Sequence, residues 1–393
     1  MYGNKINSFM IRKLIIILSF FQICALPTFS QEKPGFLTLN GYVSAVNSVM
    51  FDSLSGPFLN DNMLHNRLNF KGYVNENVTF AVELRTRLFT GDMVRTGSSY
   101  QKSIGSDQGL VDMSWNLLNE PSFFLNTTIE RFWIDFNLGK LQARAGRQRI
   151  NWGQALVWNP NDIFNSYSFF DFDYAERSGS DAVRLQYYPG SASAFEIAVK
   201  ADHNSDITAA TLYRFNKFGY DFQFLAGYVN SEDFVAGAGW SGAVGSISFR
   251  GEASWFIPAE NFSDTSGTAL FTIGVDKVFK NNTMGQVQIM YCNKPQDISI
   301  ISSFSKTEMS AKALAFSRFS AFGQVTYPVN PLLSVTVSGM WFPDLKGYFA
   351  GPSVEYSMAE NVDISLFWQH FNYRMEEERT RLNIGFLRFK FSF

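Results

Sequence analysis

Cysteine is almost missing from the chain: Cys24 and Cys292 are the two among 393 residues. Cys24 lies in a segment expected to be removed, so no intrachain disulfide can form. Cysteine usage therefore neither supports nor opposes an oxidising compartment. Charge is scarce too. Asp, Glu, Lys and Arg make up 17% of the chain, against about 25% in ordinary soluble domains. There are 3 histidines. Beyond residue 30 no run of 18 apolar residues occurs, so no transmembrane helix is expected. A phosphate-binding glycine loop, a Cys/His zinc pattern and a basic domain are all lacking, which argues against nucleotide, zinc and nucleic-acid binding. No cofactor is expected. The chain is also too short to carry a globular plug beside a 22-stranded barrel, which argues against an energy-coupled siderophore transporter.

What is abundant is aromatic: 41 Phe, 16 Tyr and 8 Trp, 17% of the chain. Aromatic excess with a charge deficit suits a protein that meets lipid on one face and places rings at two membrane rims. Residues 1–30 read as a cleaved signal peptide. Lys5, Arg12 and Lys13 form a positive start, Leu14–Leu26 is an apolar stretch too short to span, and Thr28 and Ser30 suit cleavage before Gln31. A retained anchor helix fits less well, because the apolar run is short. A lipoprotein signal fits poorly, because Ile23 before Cys24 is not small. Removal takes away three bases and no acid, moving the formal charge from −2 to −5. Residues 31–393 then form one domain.

Period-two alternation runs through most of that domain. In 78–89, Val78, Phe80, Val82, Leu84, Thr86 and Leu88 alternate with positions that include Glu83, Arg85 and Arg87. Eighteen such segments can be counted, with sixteen as the nearest alternative. Most are near the 9–11 residues that a tilted spanning strand needs. Short connections rich in Asn, Gly and Pro alternate with connections that include every long loop: 90–126, 151–180, 257–267 and 293–313. Short turns on one side and long loops on the other match a transmembrane antiparallel β-barrel with long loops outside the cell. A soluble β-sandwich gives no reason for that segregation. The chain ends on an alternating strand whose Leu387, Phe389, Phe391 and Phe393 share a face. A terminal Phe393 in that setting resembles the signal read by the barrel-assembly machinery of Gram-negative bacteria. Outer-membrane lipid is the other expected partner.

A charge on a lipid face costs about 2–4 kcal/mol per Arg or Lys at the midplane. Charged faces are therefore assigned to the lumen. Expected pore-lining residues are Arg67, Lys71, Glu83, Arg85, Arg87, Arg131, Asp135, Arg144, Arg184, Arg250, Glu252 and Arg388. Arginines outnumber acids in this set, so a mildly anion-favouring channel is one reading. A neutralised network filling a narrow or plugged barrel is the other.

Segment 151–180 is long, aromatic and polar, and is expected to fold inward as a constriction; a surface-packed external loop is the alternative. The run Gly146-Arg147-Gln148-Arg149-Ile150-Asn151-Trp152-Gly153 leads into Asn159-Pro160-Asn161-Asp162-Ile163-Phe164-Asn165, and then into Glu176-Arg177 and Asp181–Gly190. These residues resemble a porin-like family of Gram-negative outer-membrane proteins, related in style to alginate-export barrels. The resemblance covers about forty residues and implies transport and an inward-reaching loop, while naming no solute. Arg147, Gln148, Trp152, Asp162 and Arg177 carry it. Asp171 and Asp173 complete the expected constriction set. With Glu176 they are also candidates for Ca²⁺, although a solvated acidic face fits their spacing better.

No enzyme is expected. His65 is lumen-facing, His203 and His370 sit near loop ends, and Gly239-Trp240-Ser241-Gly242-Ala243 misses the last glycine of a nucleophile elbow. Two functions remain: a passive channel for small hydrophilic solutes, and a non-conducting barrel that binds surface polysaccharide or an envelope partner.

Overall fold

The computed structural model describes residues 35–170, 176–260, 267–295, 310–375 and 378–393. The expected signal peptide, Asp171 and Asp173 lie outside them. The strands are β1 (Leu37–Phe51), β2 (Leu59–Asn75), β3 (Val78–Gly91), β4 (Ser114–Glu120), β5 (Phe123–Leu138), β6 (Leu141–Gln148), β7 (Ser180–Gly190), β8 (Ser193–Ala201), β9 (Ile207–Lys217) and β10 (Tyr220–Val229). They continue as β11 (Asp233–Val244), β12 (Ile247–Pro258), β13 (Thr268–Val278), β14 (Met284–Cys292), β15 (Phe319–Asn330), β16 (Leu333–Phe342), β17 (Gly347–Ala359), β18 (Val362–Met375) and β19 (Glu378–Ser392). Two short helices, α1 (Asp92–Arg95) and α2 (Ser98–Gly105), precede β4.

Every described pairing is antiparallel between neighbours, and β19 returns to β1 with Tyr42–Phe51 opposite Asn383–Ser392. The sheet is therefore closed. β4 pairs with β5 alone, beside Phe123–Thr128, while β5 runs on to pair with β3 and β6. Setting β4 aside leaves an eighteen-strand wall, so closure removes every free edge that lipid would otherwise meet.

Alternation decides which side chain goes where. On β12, Trp255 points out while Arg250, Glu252, Ser254 and Phe256 point in. The outward set across the wall is apolar, with Ile134, Leu185, Ile197, Phe224, Phe271, Val287, Val337 and Leu366 all exposed. Two elements depart from the sequence reading. The connection expected to end at 313 runs on to Arg318, because Ala311–Ala313 forms a 3-10 turn and Leu314–Ser317 is buried before β15 begins at Phe319. The 90–126 connection contains β4 as well as two helices. Its Val94 packs with Phe89 and Phe124, and Tyr100 and Ile104 rest against that cluster.

Candidate functional site

The charged residues singled out from the sequence fall into local groups on the inner face. Arg67 is 1% exposed and pairs with Glu83 of β3 and Glu130 of β5. Arg85 shares Glu130 at 3.3 Å and donates Nε–H to His65 Nε2 at 3.3 Å. Alternation alone would put Glu130 and Arg131 on opposite faces. A register shift in the β3–β5 ladder at Glu83/Leu84 turns both inward, since the extra residue of a bulge is left unpaired. Arg131 donates to the backbone carbonyls of Glu130, Glu176 and Arg177 at 2.7–3.1 Å. Arg87 donates to Asn126 Oδ1 at 2.9 Å. On the next strands Arg144 pairs with Asp135 at 2.6 Å and lies over the Trp133 ring, with Arg184 opposite it in the β6–β7 register. Arg250 pairs with Asp276 at 2.6 Å, and Lys71 sits exposed beside the Tyr73 ring. Arg388 of β19 donates to Ser365 Oγ at 3.2 Å, so these groups occupy the arc from β19 through β1 to β7, together with β12–β13.

The rest of the inner face is covered by residues 150–170. Five polar side chains hold that segment by its backbone or its indole. On β8, Glu196 accepts from Trp152 Nε1 at 2.6 Å. On β10, Gln223 donates to the Trp152 carbonyl at 2.7 Å. On β12, Glu252 accepts the amides of Gln154, Ala155 (2.7 Å) and Asn161 (2.9 Å). On β14, Gln288 accepts from the Val157 amide at 2.9 Å and donates to the Trp158 carbonyl at 3.0 Å. On β18, Gln369 donates to the Phe170 carbonyl at 3.1 Å. Lys200 adds a bond to the Phe164 carbonyl at 3.0 Å. A loop burying this much backbone needs a partner for each peptide group, and the inner wall supplies them.

Rings complete the packing. Phe170 meets Phe349 and Phe371 at 5.1 and 5.0 Å between centroids, and Phe169 meets Phe322 at 5.0 Å. Phe316, from the segment before β15, joins Phe342. That segment is tied to the wall by Lys312, paired with Asp233 at 2.7 Å. The inner face is thus divided into a charged arc and a filled arc, whose buried apolar residues run from β7 to β19 and enclose the Arg250–Asp276 pair.

Asp162 is fully buried and accepts the Trp152 amide at 3.4 Å, while its Oδ2 has no partner. Burial pushes its carboxyl up to about 6, opposed by the charges of Arg149 and Lys200. Tyr167 is pushed up by burial as well, opposed by Arg177, whose guanidinium lies 3.6 Å from the ring centroid. Arg177 itself adopts φ 64° where the chain turns back into β7.

Arg147 and Gln148 are not in the inward segment but are the last residues of β6. Arg147 differs further from expectation. Arg144, Gly146 and Gln148 face inward, so period two turns Arg147 outward, level with Phe132 and Asp181. It is nonetheless only 4% exposed, because residues 107–113 cover it. Arg147 bonds Asp181 at 2.7 Å, Asp107 at 2.6 Å and the Val111 carbonyl at 2.6 Å. Leu110 and Val111 present apolar surface outward in its place. Gly146 has φ 111°, and a Cβ there would strike the Phe132 carbonyl, so glycine is required at this position.

Glu196, Lys200, Gln223, Gln288 and Gln369 were not singled out as holders of the inward segment. The signal of the glutamines is faint, one amide at an inward position on each strand, and the Glu196 and Lys200 pair on β8 reads only as a polar inner face. Among the described residues, no group of three or more His, Cys, Asp and Glu side chains is placed to hold a metal ion.

No protein-family model matches the sequence, and no curated protein matches it. Solved structures do share its fold. OccAB2 of Acinetobacter baumannii aligns with a TM-score of 0.58 at 8% identity, over 92% of this chain and 99% of that one. OccK2 (OpdF) of Pseudomonas aeruginosa gives 0.57 at 10%, over 91% and 99%. OccK11 (OpdR) of the same organism gives 0.56 at 9%, over 93% and 100%. Their closed barrel is the fold of this chain.

Proposed function

We propose that this chain is a Gram-negative outer-membrane channel for passive passage of small hydrophilic solutes, with residues 151–180 acting as its constriction. One observation carries the reading most directly. A segment emerging from β6 is held, peptide by peptide, to the inward side chains of β8, β10, β12, β14 and β18, inside a wall whose outward face is apolar. Filling one arc leaves the charged arc as the route. Arg87, Arg144, Arg184 and Arg388 are the partly exposed bases on that route and favour anions, offset in part by Asp135, while Arg67 and Arg85 are buried against Glu83 and Glu130 and stay off it. Export through residues 1–30, and insertion by the assembly machinery through Phe393, belong to the same proposal.

A non-conducting barrel that binds surface polysaccharide or an envelope partner is the second reading. The ring cluster around Phe169 and Phe170 favours it, because it fills much of the lumen. Single-channel recording in planar bilayers separates the two. Steady openings, enlarged by deleting 154–174, support the channel. Silence from correctly folded protein supports the scaffold, and an unchanged current after the deletion rejects the constriction.

A further inference from the structure

Inside the end of the barrel that carries the short turns, a concavity of about 350 Å³ is lined by both signs of charge. Glu355 and Asp363 supply the acids; Arg388 and Lys390 supply the bases; Ser334 and Ser365 lie among them. The register explains the layout. Ser365 of β18 stands opposite Glu355 of β17 on one side and Arg388 of β19 on the other. Asp363 stands opposite Lys390 one inward position nearer the turn. At about 4.8 Å per strand step, the backbones at Glu355 and Arg388 stand about 10 Å apart, and those at Asp363 and Lys390 about half that, so the side chains reach toward each other across the cavity.

These charges are not closed onto one another as the other inner pairs are. Arg144–Asp135, Arg250–Asp276 and Lys312–Asp233 meet at 2.6–2.7 Å. Arg388 and Glu355 are 3.5 Å apart, beyond the range of a charge-assisted hydrogen bond, and the Glu355 side chain is 54% exposed. Arg388 Nη2 donates to Ser365 Oγ at 3.2 Å and the guanidinium lies over the Phe367 ring, while its Nε has no partner. Lys390 points its ammonium toward the Tyr42 ring, 4.3 Å from the centroid, rather than at an acid. A carboxylate and a guanidinium facing a shared cavity while incompletely paired form a receptor for the complementary arrangement.

We infer that this concavity is a subsite for small zwitterions, taking an ammonium at Glu355 and Asp363 and a carboxylate at Arg388 and Lys390. The inference rests on the channel reading for its place on a solute route, and on geometry alone for binding. A solute carrying one charge satisfies one column and leaves the other as it was. A zwitterion of dipeptide length engages both.

The test is calorimetric titration of the detergent-folded full chain with glycylglycine, acetate and ethylammonium. Glycylglycine is expected to bind about tenfold or more tightly than either singly charged probe. Glu355→Gln and Arg388→Gln are each expected to remove that preference. Asp363→Asn with Lys390→Gln is a second route to the same loss, should either single variant fail to fold. Equal binding of the three probes, no binding by folded protein, or a preference that survives all the substitutions overturns the subsite. Binding is read without conduction, so silence in bilayers with the preference intact would overturn the channel and leave the subsite standing. Steady openings without the preference would do the reverse.

Discussion

Glu252 and Asn161 are 91 residues apart in sequence, yet the carboxylate of the first accepts the amide of the second at 2.9 Å. The same carboxylate takes the amides of Gln154 and Ala155. One buried side chain thus closes a turn of the inward segment from outside it, in the way an acidic cap closes the first turn of a helix.

Removing Glu252 leaves one buried amide, Asn161, and two half-buried ones, Gln154 and Ala155, without acceptors, the buried one alone costing about 1–3 kcal/mol. Glu252→Ala is expected to free 154–161 while the barrel stays closed. Single-channel conductance should rise and protease should cut within 154–161, with the heat-dependent gel shift of a folded barrel retained. Protection of that stretch equal to the parent would refute the role given to Glu252.

The pH response follows from Asp162. Its carboxyl is raised to about 6 when folded, from an ordinary value near 4. A raised acid favours the packed segment fully below the unfolded value and loses that contribution as pH climbs through the folded one. Packing of 150–170 should therefore weaken between about pH 4 and 6, by an amount on the order of 3 kcal/mol. Hydrogen exchange at the Trp152–Asn165 amides, corrected for intrinsic rates, is the measurement. Asp162→Asn should reduce the slope; a slope unchanged in the variant would assign it elsewhere.

Arg147 joins two aspartates and a carbonyl under the 107–113 segment. Breaking one side of a buried charge network costs about 3–5 kcal/mol. Arg147→Met should lower the melting temperature of the detergent-folded protein and expose 106–113 to protease. Arg147→Lys should rescue little, because an ammonium lacks the fork that reaches both partners. Full rescue by lysine would show that charge alone suffices.

Arg144 and Arg184 face each other on the inner wall. Neutralising both to Gln should move the reversal potential in a salt gradient toward cation preference, with conductance in high salt little changed. No movement would take these residues off the ion route.

Much of this was legible in the sequence, because the physics that writes it is strictly periodic. An inward Arg beside an outward Leu repeats every two residues, as in 78–89, and lipid tolerates no other phase. The eighteen wall strands follow from that pattern. The alternation does not place every residue. Glu130 shares a face with Arg131 because a register shift breaks the count. Arg147 keeps the alternation yet is buried, because 107–113 covers it, and nothing local announces the cover. Gln223, Gln288 and Gln369 were invisible as anchors for a related reason. A lone amide on a strand gains meaning only when a distant backbone, 71 to 199 residues away in these three cases, arrives beside it.

The β5–β6 ladder is short, with Phe132–Leu138 opposite Leu141–Arg147, whereas the strands carrying the two chain ends meet over Tyr42–Phe51. A cylinder tears where its stitching is thinnest. Under force or heat the fracture line should run up beside β6, and the join between first and last strands should hold after that flank has ripped.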